Sequence, residues 1–220
     1  MRNLDKMALN NNEWLATLPM AVKSELIKVA KIRRFEEKER VHSKGEVADG
    51  LYGLLSGEVR VSASTFSGDE IVFARLRPGQ WFGEIAILDG GVRTHDSHTI
   101  MASEIAILPR QAILEVCQRN AETYRALVSL LCQHCRLAFA AIDEFMVYSP
   151  EQRMARRLLE RLPQDGSGKI LISQSDLGAL VGVSRQSTNK ILKRWESRAW
   201  IKRLYRGVEV CNCEALQGLS

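Results

Sequence analysis

A chain of 220 residues with 45% hydrophobic and 26% charged residues is long enough for two modest cores and too apolar to stay disordered. Its net charge of +5 is uneven: residues 149–220 hold 13 Lys/Arg and 7 Asp/Glu, a net of +6, leaving 18 against 19, or −1, for residues 1–148. Any surface built for a polyanion therefore belongs to the C-terminal third. Five cysteines, an odd number, with no secretory segment ahead of them predict reduced thiols and a cytoplasmic setting. No apolar run is read as approaching the ~18 residues that cross a bilayer, so no membrane partner is expected.

Residues 1–12 are polar and Asn-rich, a loose leader. From Trp14 to Phe35, apolar residues at Leu18, Val22, Leu26, Ile27, Val29 and Ala30, with Pro19 at a helix start, predict one or two short amphipathic helices. Between Phe35 and Leu108 the texture changes to short apolar segments punctuated by glycine: LYGLLSG, EVRVSAS, EIVFARL and HTIMASEIAIL. These read as antiparallel strands closed into a β-roll or jelly roll, with Ser67-Gly68-Asp69 as a hairpin tip and Pro78-Gly79 as the next reversal. Within the roll, WFGEIAILDGGVRT places Gly83 and Glu84 at a short helical turn whose free N–H groups could meet an anion. Arg93 adds a planar fork suited to phosphate, and Glu84 could accept from a ribose hydroxyl.

Pro109 opens a helical region, and a long helix is predicted from about Ala121 to Val147. Leu127, Leu131, His134, Ala138, Ala141 and Phe145 recur near heptad spacing, while Val128, Leu130, Leu137, Phe139 and Ile142 widen the apolar stripe. Such a helix needs burial on two sides, one against the roll and one against the same helix of a second subunit, with the two alanines allowing close approach. A core helix of a monomer is the alternative. Ser149-Pro150 is an N-cap followed by proline at the first helical position, so a new helix starts there, runs to about Leu162, and is preceded by a hinge.

Ser173 to Trp195 reads as two helices joined by a tight turn. Ser173 and Asp176 form a cap pair, Leu177, Leu180 and Val181 recur at helical spacing, Gly182 supplies a left-handed C-cap, Val183 is a buried turn residue and Ser184 caps the next helix. That helix buries Thr188, Ile191, Leu192 and Trp195 and presents Arg185, Gln186, Asn189, Lys190 and Lys193. These donors could meet base edges or phosphates in a major groove. Arg185 could bridge guanine O6 and N7, Gln186 the adenine N6/N7 edge, and Lys190 a second guanine or a phosphate, while Ser184 and Ser187 suit phosphates near the helix start. Lys169–Ile172 reads as a strand before this pair, and AWIKRLYRGVEVC as a two-stranded wing turning at Arg206-Gly207. The wing would bring Lys202, Arg203 and Arg206 beside a duplex backbone.

This order of parts, a roll with FGEIA…RT, a long helix and a winged helix-turn-helix with VSRQSTNKILKRWE, resembles the CRP/FNR family of bacterial transcription regulators from about Trp14 to the C-terminus. The resemblance implies an α+β chain in three parts: an effector-binding roll with N-terminal helices over 1–120, a dimerisation helix and hinge over 121–148, and a DNA-binding domain over 149–220. It implies a homodimer on a two-fold symmetric operator, contact with RNA polymerase, and no enzymatic activity. By position, a cyclic nucleotide, cAMP or cGMP, would be held by Gly83, Glu84, Ile85, Ala86, Arg93 and Thr94, with His134 of the long helix also placed to touch an effector. Two departures stand out: His95-Asp96 follows the Arg-Thr pair, and Ala138-Phe139 stands where the cyclic-AMP receptor offers a Thr-Ser pair to the purine.

Other readings use the same residues. The roll could be a ligand-free dimer scaffold of a constitutive regulator, or a redox or haem sensor through Cys132 and Cys135 or through His95 and His98. Absence of cysteine before Cys117 disfavours an N-terminal iron–sulfur cluster. A cupin-like metal enzyme using His95 and His98 lacks a complete ligand set. Cys211 and Cys213 are read on one face of a wing strand, and His42 has no role assigned.

Overall fold

The computed structural model describes residues 13–64, 70–163 and 165–219; the leader over 1–12 and the Ser67-Gly68-Asp69 reversal lie outside the described residues. Two compact units make up the chain. One contains most of the roll and the long helix as far as Leu137; the other contains the helix from Ala138, the C-terminal domain and, from the roll strands, Ser64 and Glu70 to Val72.

Helices α1 (Glu13–Ala16) and α2 (Met20–Val29) open the first unit. Pro19 caps α2, where its missing N–H leaves no bond unmade. Leu18, Val22, Leu26 and Ile27 are buried as their spacing predicts, but Val29 is exposed. Helix then gives way to strand β1 (Lys31–Phe35), which the helical reading of this run overran. Strands β2 (Arg40–His42), β3 (Gly50–Ser56), β4 (Val59–Ser64), β5 (Glu70–Leu76), β6 (Trp81–Phe82), β7 (Asp96–Thr99) and β8 (Ser103–Pro109) form two four-stranded sheets, ordered β1-β8-β3-β6 and β2-β7-β4-β5. HTIMASEIAIL is thus two strands, because the chain changes sheet between Thr99 and Ser103: β7 pairs with β2 and β4, β8 with β1 and β3.

Phe35, Leu54, Val59, Leu76, Phe82 and Ile105 are buried in one roll cluster. His42, 7% exposed, packs its ring 5.5 Å from Tyr52 and 6.0 Å from Phe82, and neither ring nitrogen reaches a hydrogen-bond partner. A second cluster joins the roll to the helices through Leu15, Leu26, Trp81, Leu108 and Ile113, reinforced by a bond from Trp14 Nε1 to Ala126 O at 3.0 Å. Gly53 has no side chain for a reason the sequence alone did not reveal: a Cβ there would lie 2.6 Å from the Trp81 indole.

After α3 (Ile85–Leu88) within the roll, helices α4 (Arg110–Arg119) and α5 (Ala121–Val147) follow it. One side of α5 enters the roll core through Thr123, Ala126, Leu127 and Leu130. Further along, Leu137 (64% exposed), Phe139 (65%) and Ile142 (50%) are uncovered. By length and composition α5 is long and apolar enough to cross a membrane, with an 18-residue window of mean hydropathy 1.3, so the statement that no run approaches that length is corrected. The composition has a simpler physical source, a helix apolar on the side that closes the roll and on a second side as well.

After α5, Ser149 caps α6 (Pro150–Leu159) in a full capping box with Gln152. This helix stops three residues before the predicted Leu162. Arg153, 7% exposed, fastens the hinge: Nη1 donates to Tyr148 O at 2.6 Å, Nε and Nη2 donate to Val181 O, and the guanidinium lies 4.3 Å from the Phe145 ring centre. Beyond it come β9 (Lys169–Leu171), α7 (Gln174–Val181), α8 (Arg185–Ser197), β10 (Ile201–Leu204), β11 (Gly207–Val210) and α9 (Cys213–Gln217), with the strands in order β10-β11-β9. Met154, Leu158, Leu177, Val181, Leu192, Trp195 and Ile201 fill this core. Gly178 lets the two helices of the turn close up, since a Cβ would sit 2.6 Å from Thr188 Oγ1 and 2.7 Å from Val183 O.

Two expected outcomes test this packing. Gly178→Val should cost roughly 1–3 kcal/mol by overpacking, read as a lower urea midpoint. Burial, aided by the Arg93 charge, holds His42 down to about 4 against opposing pulls from Asp49, Glu46 and the His95 backbone. Between the unfolded value near 6.5 and about 4, the unfolded chain therefore binds a proton that the folded one refuses, and stability falls as pH drops through that window. His42→Leu should flatten the fall, which runs at no more than about 1.4 kcal/mol per pH unit, in denaturant titrations at about pH 7 and about pH 4.5.

Candidate DNA-binding and effector sites

Ser173 Oγ accepts from Asp176 N at 3.0 Å and donates to the Asp176 carboxylate, fixing the start of α7, and Gly182 ends it at φ +69°. Ser184 Oγ then accepts from Ser187 N at 3.2 Å to start α8. Thr188, Ile191, Leu192 and Trp195 are buried as predicted, leaving Arg185, Gln186, Ser187, Lys190 and Lys193 exposed on the opposite side. Leu180 and Val183 are half-buried rather than fully buried, while Leu177, Gly178 and Val181 take the buried positions.

Two expected contacts change. Arg203 is not free for a phosphate: its Nε donates to Glu196 Oε2 at 2.6 Å, its backbone N–H to Oε1, and its Nη1 to Asn189 Oδ1 at 3.2 Å. Arg203 thus braces the wing on α8, and Asn189 is half-buried as part of that brace. The wing turns at Tyr205-Arg206, one residue earlier than the expected Arg206-Gly207, since Gly207 already pairs with Leu204 in β11; Arg206 takes φ +60°. Arg206, Arg185, Ser173, Gln174 and Ser175 line a concavity of about 360 Å³ between the wing and the N-terminal ends of α7 and α8. Backbone N–H groups at a helix start beside two arginines make an anion-favouring surface.

In the roll, Gly83 (φ +89°) and Glu84 lead into α3, with Ile85 half-buried and Ala86 buried. Arg93 is 2% exposed and already engaged. Its Nη1 donates to Gly83 O at 3.0 Å, and its Nη2 donates to Gly50 O at 2.6 Å and to Asp49 Oδ1 at 2.9 Å. The guanidinium lies 4.8 Å from the Tyr52 ring centre, and its Nε alone has no partner. Tyr52 OH donates to the same Asp49 oxygen at 2.6 Å. Burial pushes the Asp49 carboxyl upward, but the bonds from Tyr52 and Arg93 outweigh it and hold the group below the usual carboxylate range. Burial and Asp49 in turn raise the Tyr52 phenol.

Glu84, 2% exposed, pairs with His134 Nδ1 at 2.8 Å. That hydrogen bond raises the His134 pKa despite partial burial, so His134 faces the roll site. Thr94 is exposed and bonded to His95 at 2.9 Å, and His95 meets Phe73 edge-on at 4.6 Å. The residues expected around a sugar phosphate are therefore together, but each polar one has an internal partner. Asp49, Tyr52 and His42 were missed because a single acid just before a strand and two ordinary core aromatics carry no spacing signal.

Leu127 is 1% exposed and belongs to the roll core, which with the His134–Glu84 pair corrects the predicted seam; Leu131 is half-buried, and Ala138, Ala141 and Phe145 are exposed. Phe145 also packs on Gly182 and Arg153 of its own unit. Cys132 and Cys135 are exposed; Cys211 lies beyond the end of β11 and Cys213 opens α9, so they do not share a strand face. Among the described residues no group of three or more His, Cys, Asp or Glu is placed to hold a metal ion, and His95 and His98 gain no third ligand.

Comparison with known proteins agrees with this architecture. Residues 32–120 match the cyclic nucleotide-binding domain and residues 152–219 the Crp-like helix-turn-helix domain. A CRP-like cAMP-activated global transcriptional regulator of Mycobacterium tuberculosis is 27% identical over 189 residues, 83% of this chain and 84% of that one. The cyclic AMP receptor protein of Thermus thermophilus is 29% identical over 160 residues, 73% and 74% of the two chains. Among solved structures, a crp/fnr-family transcriptional regulator from Eubacterium rectale shares the fold with a TM-score of 0.83 at 16% identity, covering 96% of this chain and 98% of that one. With both domain models matched in order around a long helix, the chain belongs to the CRP/FNR family of DNA-binding transcription regulators.

Proposed function

We propose that this protein is a homodimeric, sequence-specific transcription regulator of the bacterial cytoplasm whose hold on DNA is set by a small effector in the roll. The observation that carries it is α8: capped by Ser184, buried on one side, and presenting Arg185, Gln186, Lys190 and Lys193 on the other. Two such helices about 34–36 Å apart would enter successive major grooves of a two-fold symmetric operator. Base reading falls to Arg185, Gln186 and Lys190; Ser184, Ser187, Lys202 and Arg206 hold phosphates; Asn189 acts through Arg203. RNA polymerase is the protein partner that regulation requires.

The dimer seam follows α5 in a revised register. With Leu127 and His134 turned to the roll, the residues one position on take their places, and Tyr124, Val128, Leu131, Cys135, Ala138 and Ile142 keep a 4-3 spacing on exposed or half-buried positions. Residues 1–120 then serve as the effector domain, 121–148 as the shared helix and hinge, and 149–220 as the reader. Because Arg153 ties Tyr148, Val181 and Phe145 together, the hinge has a defined arrangement, and an effector acts by favouring one arrangement over another.

The effector class argued here is a cyclic nucleotide, supported by the matched domain and by the Glu84, Arg93 and Thr94 set. A phosphate would take Arg93 from Asp49, and a ribose hydroxyl would compete with His134 for Glu84. A constitutive regulator is the second reading, favoured by those same internal bonds.

Isothermal titration with cAMP and cGMP separates the two. Asp49→Ala should tighten nucleotide binding by about tenfold, the order of one partly exposed charge-assisted hydrogen bond removed from the competing state, and Arg93→Gln should abolish binding. No binding by wild type or Asp49→Ala protein supports the constitutive reading. On DNA, Arg185→Ala should cost roughly 1–3 kcal/mol and relax preference at one base pair, measured by competition among operator variants. Uniform weakening across all sequences would make Arg185 a phosphate contact instead.

A further inference from the structure

An acid of the roll and a base of the long helix meet at the effector site. Glu84 stands at the start of α3 but makes no capping bond with its side chain. Its buried carboxylate accepts instead from His134 Nδ1 at 2.8 Å. A carboxylate only accepts, so Nδ1 carries the hydrogen, and the bond forms whether the ring is neutral or charged. Protonation at Nε2 turns the bond into an ion pair, the stronger of the two forms. The His134 side chain keeps 32% of its surface exposed, so protons reach it from solvent.

Glu84 is the charged group of the roll that acts on this ring, and the bond to it raises the His134 pKa above the ordinary 6.5 against the opposing effect of burial. On α5 itself the residues one turn away, Leu130, Leu131, Leu137 and Ala138, carry no charge, and Arg136, two positions on, lies on another face. The displaced groups nearby all move away from the range just above neutrality. Burial and Arg93 hold His42 down to about 4, and burial and Lys44 hold His95 below its ordinary value. Burial lifts Asp49, but the Tyr52 and Arg93 bonds keep it low, while burial and Asp49 raise Tyr52.

We propose that the effector site is proton-linked through His134: a cyclic nucleotide whose ribose hydroxyl takes Glu84 displaces the imidazole and releases its proton, so the effector binds more weakly as pH falls. This rests on the cyclic-nucleotide reading above. The hydroxyl donates to Glu84 in place of Nδ1, the imidazolium passes one proton to solvent, and no covalent bond to carbon or phosphorus changes. Freed from its carboxylate, the ring returns toward 6.5. Above the raised value the ring is neutral with and without effector, and affinity does not vary with pH. Between that value and about 6.5 the free protein holds a proton that the complex gives up, so affinity falls with pH by at most about tenfold per unit. Lower still, both states hold the proton and affinity levels off.

The test is isothermal titration of the full-length wild-type and Asp49→Ala proteins with cAMP and with cGMP between about pH 6 and about pH 8.5. Repeating it near neutrality in buffers of different ionisation enthalpy counts the proton released. The expected result is an affinity that weakens roughly threefold or more from the alkaline to the acid end, with a fraction of a proton released per nucleotide bound. His134→Gln, which keeps a neutral donor for Glu84, should bind with one affinity across the range and release no proton. His134→Leu, which removes the competitor, should also be flat and should bind more tightly than wild type at the acid end. Binding that is flat or tightens as pH falls, or a pH dependence and proton release that survive in His134→Gln, overturns the inference and leaves the cyclic-nucleotide reading standing. No binding of either nucleotide at any pH by wild type or Asp49→Ala overturns that reading, and this inference with it.

Discussion

A single helix of 27 residues with more apolar surface than one partner can cover sets the terms for the molecule. Thr123, Ala126, Leu127 and Leu130 close the core that holds Trp14, Trp81 and Leu108, so the first half of α5 is part of the roll. Its uncovered residues, Leu137, Phe139 and Ile142 among them, would be a solubility liability in a lone subunit. A second helix of the same kind is the least costly cover, since it brings an identical stripe and needs no second surface to be evolved. The helix also carries His134 to Glu84, so a change at the roll site bears directly on α5 itself. Coupling through such a helix needs no long chain of intermediates.

The fold was legible where residues punctuate the chain. Ser149-Pro150, Gly182 and Ser184 marked helix boundaries because capping chemistry is local, and the structure puts the boundaries there. The roll was legible from glycine-separated apolar segments. Its sheet changeover between Thr99 and Ser103 was not, because HTIMASEIAIL has no glycine or proline to mark the break and only pairing with distant strands divides it. The seam side of α5 was misread at Leu127, which lies in the roll core, and at His134, which meets Glu84, for a similar reason. A helix apolar over most of its circumference offers two overlapping 4-3 patterns, and only the roll decides which of Leu127 and Val128 turns inward. The roles of Arg203 and Arg153 were beyond the sequence because they depend on acceptors in other elements, Glu196 and Asn189 of α8 for one, Tyr148 O and Val181 O for the other, which no spacing rule pairs with an arginine.

The roll site shows what a resemblance carries and what it does not. Position identified Gly83, Glu84, Arg93 and Thr94 as neighbours of one another. It did not show that Asp49 and two backbone carbonyls already satisfy Arg93, or that His42 stands with unsatisfied nitrogens against the adjoining aromatic rings. A buried guanidinium without acceptors would be costly, so a chain that keeps Arg93 in the roll must supply acceptors whenever no ligand does. Gly83 is part of that arrangement: a Cβ there would lie 2.4 Å from Arg93 Nη1, so the glycine serves the arginine as well as the turn. The internal bonds set a threshold that any anionic effector must exceed, and selectivity follows from how well its acceptors replace Asp49, Gly50 and Gly83.

The same reasoning extends to the DNA-binding end. Arg153 donates to the carbonyl that ends the hinge and to the carbonyl at the last residue of α7, and Phe145 of α5 packs on Gly182 just beyond. The first helix of the turn is therefore braced at its C-terminal end by the hinge, while Gly178 holds the recognition helix against it and Arg203 braces the wing on α8. Within this unit the recognition helix is held on one side by close packing at Gly178 and at its far end by the half-buried Arg203–Glu196 pair, and α7 by the buried Arg153 bonds. On the proposed reading, an effector that alters the hinge between α5 and α6 would have to rearrange the Arg153 bonds that tie Tyr148 to Val181. In a dimer, a small rotation at that hinge changes the spacing of two rigid readers, and spacing is the quantity a two-fold operator tests.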